Sequence, residues 1–375
     1  MLKKVASYML ILAGMGILYI STSETMMRKI SDIRNESDAW WGVHSSREKG
    51  DLVNMAYLDY IHKFHSERDY MFTKAVCKEQ PQTDLYLYGD SYTFKIPDTA
   101  FACVDNYTFG WRYSDIIKYR LDTSKKNILI IETTERYLAI YFLGLDLFKQ
   151  VYDSASGPKE MEEEHIVKGF KTPSLFNDIE RIFHFGLKML FNIKWNFYVE
   201  NCFSETINQN IEYHLFDYNF LSAPRQAKAS LNYYLFKRAS GDVVISESGD
   251  QLFIKESVSE DNIMSARYHL KDDEYSIIIN NLNTIYDHYR SEGFDEVYLA
   301  AIPNPVTILE PHGYNMLIPR LQSDPSLRMK CIDIYSEYKQ NHENIFRPGD
   351  THWSNKGMQM WIQVVNDSLR KHTDQ

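Results

Sequence analysis

Clusters of lysine and arginine are missing from this chain. Its 41 basic residues are outnumbered by 51 acidic ones, for a formal net charge of −10. A protein that neutralises phosphates needs concentrated positive charge, which argues against binding nucleic acid through the overall field of the chain. Cysteine is scarce as well, and none of Cys77, Cys103, Cys202 and Cys331 has C-x-x-C or zinc-ligand spacing, which argues against a cysteine-held metal. No internal repeat or low-complexity tract appears, so 375 residues read as one large domain, or as a domain carrying an insertion. What is present is an ordinary globular composition, 44% hydrophobic and 25% charged, rich in aromatics with 27 Tyr, 20 Phe and 6 Trp. Such rings suit an aromatic core, and equally a surface on which sugars stack.

The N-terminus is the sharpest compositional break. Lys3 and Lys4 precede an uncharged stretch over 5–23, which as a helix would rise roughly 28 Å, enough to cross a bilayer core. A cleaved signal shares this pattern, but no A-x-A site is present and only Ser21 and Ser23 imitate one. A transmembrane anchor over 1–23 is therefore expected. Either alternative puts the rest of the chain outside the cytoplasm, periplasmic or at the cell surface. There four cysteines permit up to two disulfides in three connectivities. A Cys77–Cys103 bridge would staple both flanks of Gly89-Asp90-Ser91; the alternative is four buried thiols.

From 24 to 80 the chain reads as a helical stalk and first helix, with Met55, Leu58, Ile61 and Phe64 or His65 at helical spacing. Trp40 and Trp41 rest near a membrane interface or pack beneath the domain. Three continuous apolar runs, 84–88, 127–132 and 296–302, read as buried strands, the latter two preceded by amphipathic helices over 113–121 and 275–290. Such alternation predicts an α/β fold: a three-layer, flavodoxin-like parallel sheet with helices on both faces. The pattern lapses over 151–264, a mixed insertion holding the acidic run 160–164, read as solvated surface, and a hairpin over 242–255.

The chemistry gathers at strand ends, where open parallel sheets bind ligands. Ser91 follows the first strand in Gly89-Asp90-Ser91-Tyr92, and Asp350 and His352 lie in Pro348-Gly349-Asp350-Thr351-His352-Trp353, just before a helical run over 358–369. A serine hydroxyl attacks only when an imidazole takes its proton and a carboxylate steadies that imidazole. Ser91, His352 and Asp350 supply all three groups. His62 and His65 lie one helical turn apart but lack a third ligand, so no metal is expected.

These motifs resemble those of the SGNH (GDSL-like) hydrolase superfamily, with its nucleophile in an early GDS motif and its Asp and His near the end of the domain. The Asp350-Thr351-His352-Trp353 box and Glu132-Thr133-Thr134-Glu135-Arg136-Tyr137 look like those of the alginate O-acetyltransferase group. The likeness covers about 81–150 and 270–370. It implies a Ser91 acyl-enzyme acting on a cell-envelope polysaccharide or another hydroxyl acceptor, needing no cofactor, with a multi-spanning membrane O-acyltransferase as one possible acyl supply. Two departures stand out. The serine motif here precedes the Asp-x-His-Trp box, as in ordinary SGNH hydrolases and the D-alanyl transfer protein of teichoic acid synthesis. The Gly-x-Asn block of the usual oxyanion hole is also missing, and one lost donor costs roughly 3–4 kcal/mol. Replacement candidates are the backbone N–H groups of Ser91 and Gly110 and the Tyr137 side chain, with Asn304, Trp353 and Arg136 as further cleft candidates. Glu135 and Arg136 read first as a structural ion pair. Water as acceptor makes the chain an esterase and a sugar makes it a transferase; the competing reading is a noncatalytic envelope protein that binds polysaccharide or scaffolds a membrane complex.

Overall fold

Apolar runs bounded by glycine or charge become the centre of the sheet. The computed structural model describes residues 2–22, 49–66, 70–77, 82–111, 117–119, 121–144, 151–153, 219–239 and 242–370. Trp40, Trp41, Cys202 and the acidic run 160–164 lie outside them. The chain divides into two units, 1–46 with 162–228, and 47–161 with 229–375.

In the first unit, α1 (Leu2–Thr22) forms over the N-terminal apolar stretch. Its described side chains are mostly exposed. Among the described residues no helix is long and apolar enough to cross a membrane. The stretch over 1–23 expected as a transmembrane anchor is helical over Leu2–Thr22.

In the second unit, β1 (Thr83–Gly89) and β4 (Lys126–Thr134) run side by side, buried along almost their whole length. Together with β2 (Val104–Trp111) and β8 (Glu296–Ile302) they form a parallel sheet that β9 (Lys330–Cys331) completes, in the order β2-β1-β4-β8-β9. Strands buried on both faces must be apolar throughout, which is why 84–88, 127–132 and 296–302 carry such clear runs. Chain order reverses between β1 and β4, so a crevice opens there at the carboxyl ends of the strands.

Helix α3 (Glu135–Gly144) follows β4 and packs on α5 (Asp272–Ser291), where Asn281 Nδ2 donates to the Phe142 carbonyl at 2.6 Å. Between β8 and β9 lie α6 (Pro305–Leu309) and α7 (Leu317–Ser323). After β9 come α8 (Ile334–Gln340) and α9 (Asn355–Arg370), joined by the Tyr338 hydroxyl on the Gly357 carbonyl at 2.8 Å. Predicted helices 275–290 and 358–369 are present. The one over 113–121 is not: Ile117–Tyr119 is a strand, β3, paired with β5 (Val151–Asp153).

The helix read over 55–65 also gives way. Only α2 (Asp51–Met55) is helical, Tyr57 turns left-handed at φ 55°, and a 3-10 turn follows at His62–Phe64. Leu58, Ile61 and Phe64 nevertheless stay buried, packed with Ala229 and Tyr233 of α4 (Asn219–Phe236) and with Val243 and Leu252. The last two belong to the expected hairpin, β6 (Val243–Ile245) and β7 (Leu252–Ile254), which pair antiparallel.

Cys77 and Cys103 form a disulfide across a separation of 26 residues, leaving Cys331 free among the described residues. The bridge ties the segment before β1 to the start of β2, so β1 enters the sheet with both flanks held. Closing a loop of that length stabilises by roughly 3 kcal/mol. Cys77→Ser/Cys103→Ser is expected to lose about that much in urea unfolding, and an unchanged midpoint would show that the loop is already restrained without the bridge. Burial, then the charge of Asp333, pushes the Cys331 thiol up to about 12.

Candidate active site

The turn after β1 is built around two carboxylates. Glu132, fully buried in β4, accepts the Asp90 N–H and the Thr93 hydroxyl on the same oxygen, both at 2.9 Å. Asp90 Oδ1 in turn accepts the Tyr92 N–H at 2.9 Å, and the Asp90 carbonyl accepts the N–H groups of Thr93 and Phe94. Such a side chain to backbone bond two residues ahead is the habitual turn chemistry of aspartate. Gly89 admits the close approach: a Cβ there would lie 2.7 Å from Glu132 Oε2 and would strike the Thr93 hydroxyl. Ser91 is left at the head of the turn, its own N–H without an acceptor among the described residues.

The second element is the loop that closes through the Phe346–Trp353 bridge, with the Arg347 N–H on the His352 carbonyl at 3.2 Å. Inside it, His352 Nδ1 lies 2.6 Å from Asp350 Oδ1, which also accepts the His352 N–H at 3.0 Å. His352 Nε2 lies 2.8 Å from Ser91 Oγ. An ionised carboxylate only accepts, so Nδ1 carries the proton and Nε2 is free to take one from the serine. The Asp350 side chain is 2% exposed and that of His352 22%, a dry acceptor behind an accessible base.

Aromatic residues fix this loop against the turn. The Tyr92 hydroxyl donates to the Thr351 carbonyl, and its ring lies 4.8 Å from the His352 ring and 5.0 Å, edge-on, from Trp353. Burial holds the Tyr92 hydroxyl well above its ordinary range, so it stays a neutral donor. Trp353 is fully buried against Trp361. It therefore belongs to the packing around Tyr92 and Trp361 and not to the cleft in which it was expected.

From the other side the N-terminal segment grips the same loop. The N–H groups of Leu52 and Val53 both donate to the Gly349 carbonyl at 3.1 Å, and β7 contributes the Leu252 N–H to the Pro348 carbonyl at 2.8 Å. A Cβ on Gly349 would strike the Phe64 carbonyl and the Val53 side chain. Gly349→Ala is thus expected to cost roughly 1–3 kcal/mol by overpacking and to lower activity by displacing the dyad. Melting and ester turnover should fall together, and a variant equal to wild type in both would mean that this contact relaxes freely.

The remaining candidates scatter. Gly110 lies buried near the carboxyl end of β2, opposite Tyr88 of β1. Tyr137 opens α3, its ring 5.4 Å from Tyr141. Asn304 is buried at the start of α6, donating its N–H to Glu135 at 2.9 Å, and among the described residues no hydrogen bond joins it to Ser91 or His352. Among the described residues no ion pair joins Glu135 to Arg136, unlike the pair expected of them. Glu135 also takes the Thr307 hydroxyl, while Arg136 sits in the field of Tyr92, Tyr137, Asp90 and Asp51. Burial draws the Arg136 guanidinium down, those four neighbours outweigh it, and the net direction is up. Burial lifts the Glu135 carboxyl, with bonds from Thr307, Asn304 and Tyr314 opposing.

Two residues that sequence reasoning passed over complete the site. Tyr92 was visible only as a neighbour of the serine. Asp51, 3.9 Å from His352 Nδ1 through Oδ2, stands in a segment whose spacing carried no catalytic signal. Asp51, Asp350 and His352 offer ligand atoms within 4.8 Å of one another, but both His352 nitrogens are committed, one to Asp350 and one to Ser91. The His62 and His65 rings meet edge-on at 4.9 Å, with His65 Nε2 2.9 Å from the Asp59 carbonyl. Comparison of the chain with protein-family models, curated proteins and solved structures gives no match.

Proposed function

We propose that this chain is a serine acyl-transfer enzyme with an SGNH-type three-layer fold, in which Ser91 is the nucleophile, His352 the base and Asp350 its orienting carboxylate. The observation that carries the reading is the continuous path from Ser91 Oγ through His352 to Asp350, with steps of 2.8 and 2.6 Å. His352 takes the serine proton as Ser91 Oγ attacks an acyl carbonyl, and returns it to the departing alcohol as the tetrahedral intermediate collapses. The acyl group then rests on Ser91 until a hydroxyl, activated by the same imidazole, carries it away.

The intermediate needs oxyanion donors. The Ser91 N–H meets that need first, because among the described residues it has no acceptor at the head of the turn. Arg136, in the first turn of α3 directly after β4 where the Gly-x-Asn block would stand, offers positive charge in place of that block's neutral donors. The N-terminal stretch supports membrane attachment with the catalytic unit outside the cytoplasm. Acetyl groups on an envelope polysaccharide are then the substrate class that the motif resemblance favours, received from a membrane acyltransferase or from an ester.

The test is acyl-enzyme trapping. Full-length chain in detergent, given an aryl acetate, should gain one acetyl group on Ser91 by intact mass and peptide mapping as the aryl alcohol leaves. Acetylated oligosaccharides appearing on addition of acceptor would mark a transferase, and loss of the adduct to water alone an esterase. A folded chain that acquires no Ser91 adduct from aryl acetates or from a fluorophosphonate would overturn the enzyme reading in favour of a scaffold.

A further inference from the structure

The loop that carries the dyad has a second carboxylate behind it. Asp51 Oδ1 accepts the Thr351 N–H at 2.8 Å and Oδ2 accepts the Thr351 hydroxyl at 2.5 Å, so its side chain grips the residue between Asp350 and His352. Its own N–H donates to Asp350 Oδ2 at 3.3 Å, on the oxygen that His352 does not use. Asp51 Oδ2 lies 3.9 Å from His352 Nδ1. One residue therefore touches all three members of Asp350-Thr351-His352, and it comes from a segment some 300 positions earlier in the chain.

We infer that Asp51 is a positioning residue of the catalytic dyad, holding Asp350 in the orientation that receives His352 and adding a second negative charge behind the imidazole. The inference rests on the acyl-transfer reading of Ser91. Charge near Nδ1 favours the imidazolium that forms as the serine proton moves, so ionised Asp51 accelerates attack and protonated Asp51 does not. Its carboxyl is raised by burial first and by the Asp350 charge second, against the opposing His352 charge and Thr351 bonds. The other groups that share its field are Tyr92 and Arg136. A raised carboxyl ionises at higher pH than an ordinary carboxylate, so the contribution of Asp51 switches on as pH rises through its titration.

Asp51→Asn separates geometry from charge, because an amide still accepts the Thr351 N–H and can donate to the Thr351 hydroxyl. The measurement is the rate of Ser91 labelling by a fluorophosphonate, and of aryl acetate turnover, across pH in the full-length chain. Above the Asp51 titration the variant should label and turn over about tenfold more slowly, in kcat with KM unchanged. The ratio of wild type to variant should close toward one as pH falls, since protonated Asp51 resembles asparagine. Asp51→Glu, which keeps the charge, should run parallel to wild type across pH, and its rate relative to Asp51→Asn should close toward one as pH falls. A ratio that stays constant with pH, or a variant as fast as wild type throughout, overturns the inference. If Asp51→Asn does not fold, Thr351→Val serves: losing a bond that lowers the Asp51 carboxyl should move the fall in rate to higher pH, and an unmoved profile overturns the inference. Wild type unlabelled at Ser91 under every condition sinks the acyl-transfer reading itself, an outcome distinct from labelling with a constant ratio.

Discussion

Ser91→Ala is expected to lower acyl-transfer turnover by roughly 10⁵-fold to 10⁶-fold, with the melting transition close to that of wild type. The hydroxyl is half-exposed at the head of a turn whose hydrogen bonds run through Asp90, Tyr92 and Thr93, so the fold loses little when it is removed. His352→Ala should cost about as much as Ser91→Ala, and the double variant little more than either, because a nucleophile without its base is already disabled. Asp350→Asn should fall by roughly 10⁴-fold: an amide nitrogen facing His352 Nδ1 favours the tautomer in which Nε2 carries the proton and cannot accept the serine's. Burst kinetics with an aryl acetate measure all three. A Ser91→Ala variant that still acquires the acetyl adduct at near wild-type rate would move the nucleophile elsewhere.

The candidate site was legible because its groups are residue types gathered at strand ends. Apolar runs in the sequence marked β1, β4 and β8, and their burial shows why, since both faces of a central parallel strand must be apolar. Strand β2 escaped notice for the opposite reason: it is an edge strand, and Asp105 and Asn106 lie exposed within Val104–Trp111, interrupting any run. Spacing misled over 55–65, where Leu58, Ile61 and Phe64 recur every third residue. A turn at Tyr57 and one turn of 3-10 helix bury all three without a continuous helix. Asp350 and His352 sit two residues apart and announce each other, whereas Asp51 meets them only after the chain has folded, and nothing local distinguishes it from any aspartate opening a short helix.

The largest effect away from the triad is expected at Glu132. Its Oε2 is the common acceptor for the Asp90 N–H and the Thr93 hydroxyl, in a position with no exposure to solvent. Glu132→Ala would leave two donors buried without that acceptor, each at a cost of roughly 1–3 kcal/mol, and a cavity besides. The two donors alone come to about 2–6 kcal/mol, a large share of the stability of an ordinary domain. Activity should fall by more than the unfolded fraction explains. The turn that Glu132 fastens presents Ser91 to His352, and a displacement of about 1 Å at a reacting group costs on the order of 100-fold. Glu132→Gln should be intermediate: its amide oxygen can still accept both protons, so melting should recover further than turnover does. Paired melting and fluorophosphonate labelling separate the two effects. If Glu132→Ala labelled at the wild-type rate per folded molecule, Glu132 would be a support of the sheet alone, and the Ser91 turn would owe its shape to Asp90.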